Sequence, residues 1–200
     1  MSHILSDTDL DTIFREARTH RKFTDKPVSE VTIRALYELT KMGPTSFNCS
    51  PARFVFVTSD SGKQKLKDVV SPGNVEKVLN APVTAIVATD TQFHEHIETL
   101  NPGHPMAAGF RGNLEGNAGL ADSTGFRNGS LQGAYLIIAA RALGLDVCPM
   151  SGFDNAALDA AFFPDGRFKS NFICSMGYGD HSALTPRAPR LDFDAACSIV

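Results

Sequence analysis

The sequence predicts one α+β domain spanning residues 1–200, and three observations support this prediction. Residues 82–90, PVTAIVATD, form a nearly continuous apolar run, which is typical of a strand buried on both faces. Residues 130–144, SLQGAYLIIAARALG, are apolar almost all round, so this helix is expected inside a core or a subunit interface. No internal repeat and no linker-like segment divides the chain.

The other elements follow from capping signals and from periodicity. Ser6, followed by Asp9, predicts the start of a helix that runs to about residue 17. Ser29 predicts the cap of a second helix, which Gly43 ends. Further strands are predicted at residues 53–59, 146–149 and 169–179, and further helices at residues 63–70, 75–80, 114–143 and 155–163, with a last short helix in the tail.

Two stretches depart from simple periodicity. Residues 91–113 form a long polar excursion containing prolines and glycines, and such a stretch is usually a functional lid or binding loop. The helical pattern of residues 114–143 is interrupted by glycines at positions 116, 119, 125 and 129. The excursion is therefore expected to be a loop, and the helix after it to be broken in its first half.

Composition excludes several classes of protein. The hydrophobic content of 42% and the charged content of 20% are ordinary for a globular domain. A net charge of −3 argues against a strong global attraction to nucleic acid or to anionic membranes. The beginning of the chain lacks the pattern of a signal peptide, and its four cysteines show no paired spacing, so we expect reduced thiols and a cytoplasmic protein.

A loop before the first strand is unusually rich in small hydrogen-bonding side chains. Residues 43–57, GPTSFNCSPARFVFV, place Thr45, Ser46 and Asn48 between two prolines at the mouth of a strand. An ordinary turn needs only two or three such residues. The loop is therefore predicted to wrap a ligand. Cys49 in this loop is a candidate catalytic thiol, with a buried structural thiol as the alternative.

Two arginine clusters are candidates for binding a phosphate group. One is Arg18-Thr19-His20-Arg21, and the other consists of Arg187 and Arg190 in the tail. The planar fork of arginine matches phosphate oxygens in pairs, so the two clusters brought together would hold a phosphomonoester. Taken alone, each cluster also fits solvated surface charge.

Two further motifs are candidates for binding a flat heterocycle. Asn74 and Lys77 are spaced to share one face of a short helix, where an amide can read a ring imide and a lysine can stabilise negative charge on it. The alternative is a helix cap beside a surface lysine. The segment CPMSGFD, residues 148–154, leads from a strand into a helix, and Gly152 would let its backbone approach such a ligand closely.

Other binding motifs are absent from the sequence. No G-x-G-x-x-G follows a strand, and there is neither a P-loop nor a G-x-S-x-G nucleophile elbow. His94-Glu95-His96, with His104 further on, could bind a metal, but the spacing fits no known metal motif. The sequence therefore predicts no metal site.

Taken in order, five of these motifs resemble the FMN-dependent nitroreductase family, and the likeness covers nearly the whole chain. RTHRKFTDKPV resembles the family's phosphate-gripping element, and GPTSFNCSP resembles the loop that reaches the cofactor across the dimer interface. NVEK resembles the Asn-x-x-Lys that reads the pyrimidine edge of the flavin. GLDVCPMSGFD resembles the segment beside the reactive ring, and PRAPR the C-terminal basic element.

The resemblance implies a central mixed, mostly antiparallel sheet flanked by helices, a long buried helix at a homodimer interface, and an extended C-terminal tail. It also implies FMN as the cofactor and NADH or NADPH as the reductant. The cofactor-binding residues implied in this way are Arg18, Thr19, His20, Arg21, Pro44, Thr45, Ser46, Asn48, Asn74, Lys77, Pro149, Met150, Ser151, Gly152, Arg187 and Arg190. No residue is singled out as a certain catalytic acid or base.

Within that family one branch has sequence segments similar to TSFNCSPARFVFV, PMSGFDNA and KSNFICSMGYGD. This branch contains the malonic semialdehyde reductases of pyrimidine breakdown, which form 3-hydroxypropionate. The implied substrate is therefore malonic semialdehyde or a similar small carbonyl compound. Three alternatives remain open at this point: a broad nitroaromatic or quinone reductase, a flavin-holding protein with little turnover, and a domain that binds no flavin.

Overall fold

A computed structural model of the chain describes residues 3–200, and a four-stranded antiparallel sheet lies at its centre. The strands are β1 (Ala52–Val57), β2 (Val83–Asp90), β3 (Asp146–Met150) and β4 (Phe168–Gly177), and they lie in the order β1-β2-β4-β3. The first two residues of the predicted domain lie outside the described part.

Helices cover both faces of the sheet. They are α1 (Asp7–Leu10), α2 (Glu30–Thr40), α3 (Asp60–Lys67), α4 (Val75–Asn80), α5 (Ile97–Leu100), α6 (Ala107–Glu115), α7 (Ala118–Ala142), α8 (Asn155–Phe162) and α9 (Phe193–Ala196). Helices α3, α4 and α8 pack on one face through Leu66, Val78 and Leu158. Helices α2 and α7 pack on the other through Leu36 and Leu136.

Strand β2 is buried on both faces, as its apolar run predicts. Ile86 and Ala88 belong to the core under α3, α4 and α8, whereas Val83, Ala85 and Val87 belong to the core under α2 and α7. All five side chains are fully buried. Since successive side chains of a strand point to opposite faces, this one strand supplies the middle of both cores.

The sheet is more regular than expected. All pairings among the four strands are antiparallel. A mixed sheet was expected, but the parallel pairing found in the described chain is a single isolated bridge between Thr19 and Val147. The segment after α1 therefore runs beside the free edge of β3, which matters for the site described below.

The helical pattern of residues 114–143 is interrupted at Gly116, which caps the end of α6, as predicted. Helix α7 is continuous over its 25 residues, so the predicted interruption at Gly119, Gly125 and Gly129 is wrong. Three of its glycines instead lie on the face that meets the sheet. A Cβ atom at Gly125 would lie 2.8 Å from Cγ2 of Thr89, and one at Gly133 would lie 2.4 Å from Cε1 of Phe172. These glycines bring the helix close to the sheet, and that packing outweighs their low helix propensity.

The excursion of residues 91–113 is mostly helical, which corrects the prediction of a long loop. It contains a 3₁₀ turn, Phe93–His96, then α5 and the beginning of α6. Phe93, Ile97 and Leu114 are buried in a small satellite core of this region. The helices are too short to show a clear periodicity, and each is stabilised by packing rather than by its own sequence.

Other boundaries differ by a few residues. Helix α1 gives way to a π-helical turn, Asp11–Arg15, and therefore ends before residue 17. Helix α3 begins three residues earlier than predicted because Ser59 caps it, accepting a hydrogen bond from Gly62 N. The tail is extended as far as the short α9. Within residues 3–200 no helix is both long enough and apolar enough to cross a membrane.

Candidate functional site

A strongly basic cavity lies where the two ends of the chain meet, and its volume is about 450 Å³. Its lining contains six arginines and, among the described residues, no acidic side chain. The lining residues are Phe14, Arg15, Ala17, Arg18, Thr19, Arg21, Arg141, Thr185, Pro186, Arg187, Ala188 and Arg190. The two arginine clusters recognised in the sequence therefore lie together, as a phosphate site requires.

The walls of this cavity, which we call the basic pocket, are held by arginine-to-backbone hydrogen bonds. Nη2 of Arg187 donates to the carbonyl oxygens of Arg15 and Ala17, at 2.8 and 2.9 Å. Nη2 of Arg18 donates to the carbonyl oxygen of Thr185. Each end of the chain thus fixes the other, and the pocket is preorganised.

Positive charge in the basic pocket is left uncompensated. Arg15 pairs with Asp7 and Asp11. The other five arginines, Arg18, Arg21, Arg141, Arg187 and Arg190, make no ion pair with any carboxylate of the described residues. Such a concentration of unpaired guanidinium groups raises the local electrostatic potential and attracts an anion.

Arg141, which the sequence analysis missed, is the most buried of these arginines. Its Nε has no hydrogen-bond partner among the described residues, and its Nη1 donates to the carbonyl oxygen of Ile13 at 3.3 Å. Burial lowers the pKa of Arg141, and the charge of Arg187 lowers it further. An anion in the pocket would accept a hydrogen bond from the Nε and would offset the cost of burying the positive charge. In the sequence, Arg141 lies at the end of an apolar helix, where a positive charge is explained by the helix dipole alone. Nothing in the sequence therefore indicated that it lines a pocket.

The predicted Asn74–Lys77 pair forms a hydrogen-bonded cluster with Gly152. Nδ2 of Asn74 donates to the carbonyl oxygen of Gly152 at 2.9 Å, and Nζ of Lys77 donates to Oδ1 of Asn74 at 2.8 Å. A Cβ atom at Gly152 would lie 2.7 Å from Asn74 Nδ2, so only glycine permits this approach. The side chain of Asn74 makes no capping bond to α4, which removes the simple helix-cap alternative.

Strand β3 connects this cluster to the basic pocket. The Thr19–Val147 bridge lays the arginine segment along its edge, and the N–H of His20 donates to the carbonyl oxygen of Val147 at 3.1 Å. Burial raises the pKa of the Cys148 thiol, while the nearby charges of Lys77 and Arg21 lower it. Both cations therefore act on the thiol of one β3 residue, and β3 links the two clusters.

The end of β3 divides its side chains between core and surface. Met150 is buried in the core under α3, α4 and α8. Pro149 and Ser151 are exposed and, being two residues apart, share a face of the chain. Of the predicted residues in this segment, Pro149, Ser151 and Gly152 are accessible to a ligand, whereas the Met150 side chain supports them from below.

His20 lies behind the basic pocket rather than in its lining. Its side chain is 1% exposed, and its ring packs so closely on Gly179 that a Cβ there would lie 2.2 Å from Cδ2. Burial is the main cause of a lowered His20 pKa, and it outweighs the opposing charge of Asp146. Only the backbone of His20 therefore takes part in the edge of β3.

The loop of residues 44–50 has a special backbone conformation. Phe47, Asn48 and Ser50 adopt positive φ angles of 51°, 48° and 40°. The N–H of Ser46 donates to Oδ1 of Asn128 at 2.8 Å, and the N–H of Ser50 donates to Oγ1 of Thr45 at 3.1 Å. Non-glycine residues with positive φ are uncommon, so this shape is held by its surroundings and marks a specialised loop.

Side chains of this loop pack on the excursion. Phe47 stacks on Phe110 with ring centroids 4.8 Å apart, and it meets the ring of His104 edge-on at the same distance. Nδ2 of Asn48 donates to the carbonyl oxygen of Leu100 at 3.0 Å. The loop and helices α5 and α6 are therefore one structural unit.

Within one chain this loop does not meet the basic pocket. It leads into β1, whereas the arginines and the Asn74 cluster lie at β3. These are the two edge strands of the sheet, three strand spacings or about 14 Å apart. Among the described residues, no hydrogen bond joins residues 44–50 to residues 18–21, 74–77 or 149–152.

The remaining candidates from the sequence gain no support. Cys49 is buried, and burial raises its pKa to about 11, so it is a neutral thiol at physiological pH and a poor nucleophile. His94, His96 and His104 form no group of metal ligands within residues 3–200. The alternative of a buried structural thiol therefore holds for Cys49.

Comparison with known proteins gives one consistent answer. The sequence model of the Nitroreductase family matches residues 14–78. A protein of Rhodopseudomonas palustris is 55% identical over 200 residues, covering all of both chains, and one of Xanthomonas oryzae is 57% identical over 98% of both. Both carry the provisional name NADH dehydrogenase/NAD(P)H nitroreductase.

A solved structure supports the fold. The crystal structure of a provisionally named nitroreductase from Exiguobacterium sibiricum, in complex with FMN, has a TM-score of 0.86 and 19% identity, and the alignment covers all of both chains. The α+β fold expected from the sequence is thereby confirmed as nitroreductase-like. Together with the relatives that are more than half identical along their whole length, this shows that the chain belongs to the nitroreductase family.

Proposed function

We propose that this chain, as one domain of residues 1–200, is a subunit of a homodimeric, FMN-dependent NAD(P)H oxidoreductase. Its proposed reaction is the reduction of a small carbonyl compound, with malonic semialdehyde giving 3-hydroxypropionate. The observation that carries the proposal is the set of five uncompensated arginines joined through β3 to the Asn74–Lys77 cluster. We place the enzyme in the cytoplasm.

The residues present fit the phosphate of FMN. A phosphate offers several oxygens to the unpaired guanidinium groups and removes the cost of the unpartnered Arg141 Nε. In the proposed site Arg18, Arg21, Arg187 and Arg190 bind the phosphate, with Thr19 beside them. Charge-assisted hydrogen bonds of this kind are about twice as strong as neutral ones.

The Asn74 cluster fits the polar edge of the flavin ring. The Asn74 amide can accept from a ring N–H and donate to a ring carbonyl. Lys77 uses one of its three donors on Asn74, which leaves two for a ligand. The exposed pair Pro149 and Ser151, with the backbone at Gly152, would lie beside the ring.

Held by these residues, FMN would supply the chemistry of hydride transfer between NADH or NADPH and the carbonyl substrate. The charge of Lys77 would stabilise the negative charge that the ring gains on reduction. The arginines anchor the phosphate at a distance from the reacting atoms. The proton for the product can come from water or from the excursion, where the ring of His104 meets that of Phe47 edge-on.

A second copy of the chain would complete the site. Exposed apolar side chains occur on α7 and just after α2, including Phe126 at 63%, Leu131 at 47% and Met42 at 71% exposure. Gly43, just before the loop, packs so closely on Tyr135 of this surface that a Cβ would lie 2.6 Å from its Cγ. Burying the surface in a dimer would carry residues 44–50 toward the partner copy.

In this arrangement Pro44, Thr45, Ser46 and Asn48 bind the flavin that the other chain holds. Two prolines stiffen the loop, so less conformational entropy is lost when it contacts the cofactor. The arrangement also accounts for the apolar surface of α7, which a single chain leaves in water.

A broad nitroaromatic or quinone reductase is the second candidate, because relatives that are more than half identical are named NAD(P)H nitroreductases. The same site would then serve different electron acceptors. The two candidates differ only in what binds over the flavin.

An absorption spectrum followed by acceptor assays tests both candidates. Purified protein should be yellow, NADH or NADPH should bleach it under anaerobic conditions, and malonic semialdehyde should restore the colour faster than a nitroaromatic or a quinone. Faster recovery with the nitroaromatic or quinone would establish the second candidate. Flavin that resists bleaching would indicate a flavin-holding protein, and protein that stays colourless after incubation with FMN would refute the proposal.

A further inference from the structure

Three side chains of the metal-ligand type converge behind the basic pocket. They are His20, Asp146 and His181, and one ligand atom of each lies within 4.8 Å of the other two. Nδ1 of His20 is 3.1 Å from Oδ1 of Asp146, and the two imidazole ring centroids are 4.9 Å apart. The three residues come from distant parts of the sequence, so no local sequence motif predicts that they lie together.

The central member of this group is buried without a hydrogen-bond partner. His20 is 1% exposed, and neither of its ring nitrogens makes a hydrogen bond within the described chain, since Asp146 is near but not aligned for one. A buried polar atom without a partner costs about 1–3 kcal/mol, so native proteins almost always supply one. A ligand between the three side chains would be that partner.

The backbone around the group is already fixed. The N–H of Gly179 donates to Oδ2 of Asp146 at 2.9 Å, which leaves Oδ1 facing His20. The N–H of Asp180 donates to the carbonyl oxygen of Lys22 at 3.0 Å, and so ties the segment before His181 to the segment after His20. Such bonds orient metal ligands before the metal arrives.

We propose that His20, Asp146 and His181 bind one divalent transition-metal ion, for which Zn²⁺ is the natural probe. Two imidazoles and one carboxylate match the ligand preference of zinc and of its neighbours in the first transition row. Magnesium and calcium prefer oxygen ligands alone, so the site should discriminate against them. Three protein ligands leave a position for water.

The required adjustment is small and falls on the exposed member. Ligand atoms around a tetrahedral zinc ion lie about 3.3 Å apart, given bonds of about 2.0–2.1 Å. His20 and Asp146 already satisfy this spacing, whereas His181 must move inward by roughly 1–2 Å. His181 is exposed and lies in a three-residue 3₁₀ turn, His181–Ala183, where such a side-chain movement is easy.

Neighbouring charge sets the expected strength of the site. The positive charge of Arg18 reaches His20 and opposes a cation there, whereas the carboxylate of Asp146 favours one. The ion would therefore bind more weakly than in a four-cysteine structural site. Its effect would be to clamp residues 180–184 to residues 18–22, which stabilises the wall of the basic pocket.

Calorimetric titration of Zn²⁺ tests this proposal. Full-length protein with its bound flavin is treated with EDTA, freed of chelator and titrated with ZnCl₂ in the presence of excess Mg²⁺. We expect one Zn²⁺ per chain and a rise in the melting temperature. His181→Ala should weaken the affinity by about 100-fold, because losing a first ligand costs at least as much as losing its supporting bonds.

Two further variants make the outcome decisive. Asp146→Asn, which keeps the side chain's shape, should also weaken Zn²⁺ binding, whereas His96→Ala, an exposed histidine outside the group, should leave it unchanged. The proposal is overturned if wild-type protein shows no saturable one-to-one binding, or if His181→Ala binds Zn²⁺ as tightly as wild type does.

Discussion

Charged residues on the two sides of the sheet differ in whether they are paired with an opposite charge. At the end of β2, near the β1 edge, Asp90 is 1% exposed and is paired with Arg53 at 2.7 Å and with both Nε and Nη2 of Arg167 at 3.0 and 3.2 Å. Arg167 also pairs with Glu95 at 3.0 Å. At the β3 edge five arginines have only carbonyl oxygens or no partner at all among the described residues.

This difference indicates that the Asp90 network stabilises the fold, whereas the arginines at β3 are available to bind a ligand. Burial raises the pKa of Asp90, but the hydrogen bond from Arg167, the N–H of Gln92 and the charge of Arg53 together bring it below its usual range. That network is complete and needs no ligand; it fastens the excursion to the sheet. The arginines at β3 are an incomplete network, which the phosphate of the proposed cofactor would complete.

The largest expected effect comes from disrupting the proposed dimer surface, which would bring the β1 edge of one chain to the β3 edge of its partner. Leu131→Asp places a carboxylate on the exposed apolar face of α7, and two-fold symmetry would bury it twice. Since an unpaired buried charge costs about 3 kcal/mol or more, dimer affinity should fall by at least about 10⁴-fold. Sedimentation velocity should show a monomer that has lost its FMN.

Lys67→Asp serves as the control, because Lys67 is exposed on α3 at the other face of the sheet. It should remain dimeric and yellow. A Leu131→Asp protein that stays dimeric would show that this face of α7 is not the interface.

The complete network at Asp90 should govern stability and not cofactor binding. Asp90→Asn leaves Arg53 and Arg167 without their buried counter-charge, and the free energy of unfolding should fall by about 3 kcal/mol. Urea denaturation measures the change. Asp122→Asn, at an exposed position, should change it by less than about 0.5 kcal/mol.

Acid should remove the same contribution from the wild-type protein. The native pKa of Asp90 is lowered, so its stabilisation is present above the unfolded pKa of about 3.9 and is lost as the pH falls through the native value. The gap between wild type and Asp90→Asn should therefore narrow below about pH 4. A gap independent of pH would mean that the carboxylate charge contributes nothing.

The incomplete network should govern phosphate recognition. Arg187→Met keeps most of the apolar stem and removes the charge, so FMN affinity should fall by about 2 kcal/mol, or about 30-fold. Riboflavin, which has no phosphate, should bind as before. Arg34→Met, at an exposed arginine of α2 that pairs with Glu30, is the matched control. Equal losses for FMN and riboflavin would assign Arg187 a structural role.

A smaller effect is expected at the ring end of the site. Lys77→Ala removes the charge that the proposed site places beside the flavin ring, so the rate of flavin reduction by NAD(P)H should fall by about tenfold. Stopped-flow spectroscopy measures this rate at saturating nucleotide. An unchanged rate together with unchanged FMN affinity would remove Lys77 from the site.

Local sequence signals were sufficient for the elements and for much of the site. Ser6 and Ser29 cap helices as predicted, and the apolar run of β2 is buried on both faces. The two arginine clusters converge, and Asn74, Lys77 and Gly152 share hydrogen bonds. Each of these features depends on residues that are close in sequence or of one distinctive type.

Features that depend on tertiary packing were not predictable. Gly125 and Gly129 read as helix breakers, yet their lack of a side chain is what brings α7 onto the sheet. The excursion reads as a loop because its short helices are stabilised by a satellite core that only the fold creates. His20, Asp146 and His181 are far apart in sequence, so their convergence appears only in three dimensions.

The most direct test of the uncompensated arginines is a calorimetric comparison of FMN and riboflavin on flavin-free wild-type protein. One FMN per chain should bind at least about 100-fold more tightly than riboflavin, because several charge-assisted hydrogen bonds act on the phosphate alone. Raising the salt concentration should narrow the difference. Equal affinity for the two flavins would contradict the assignment of the basic pocket to a phosphate.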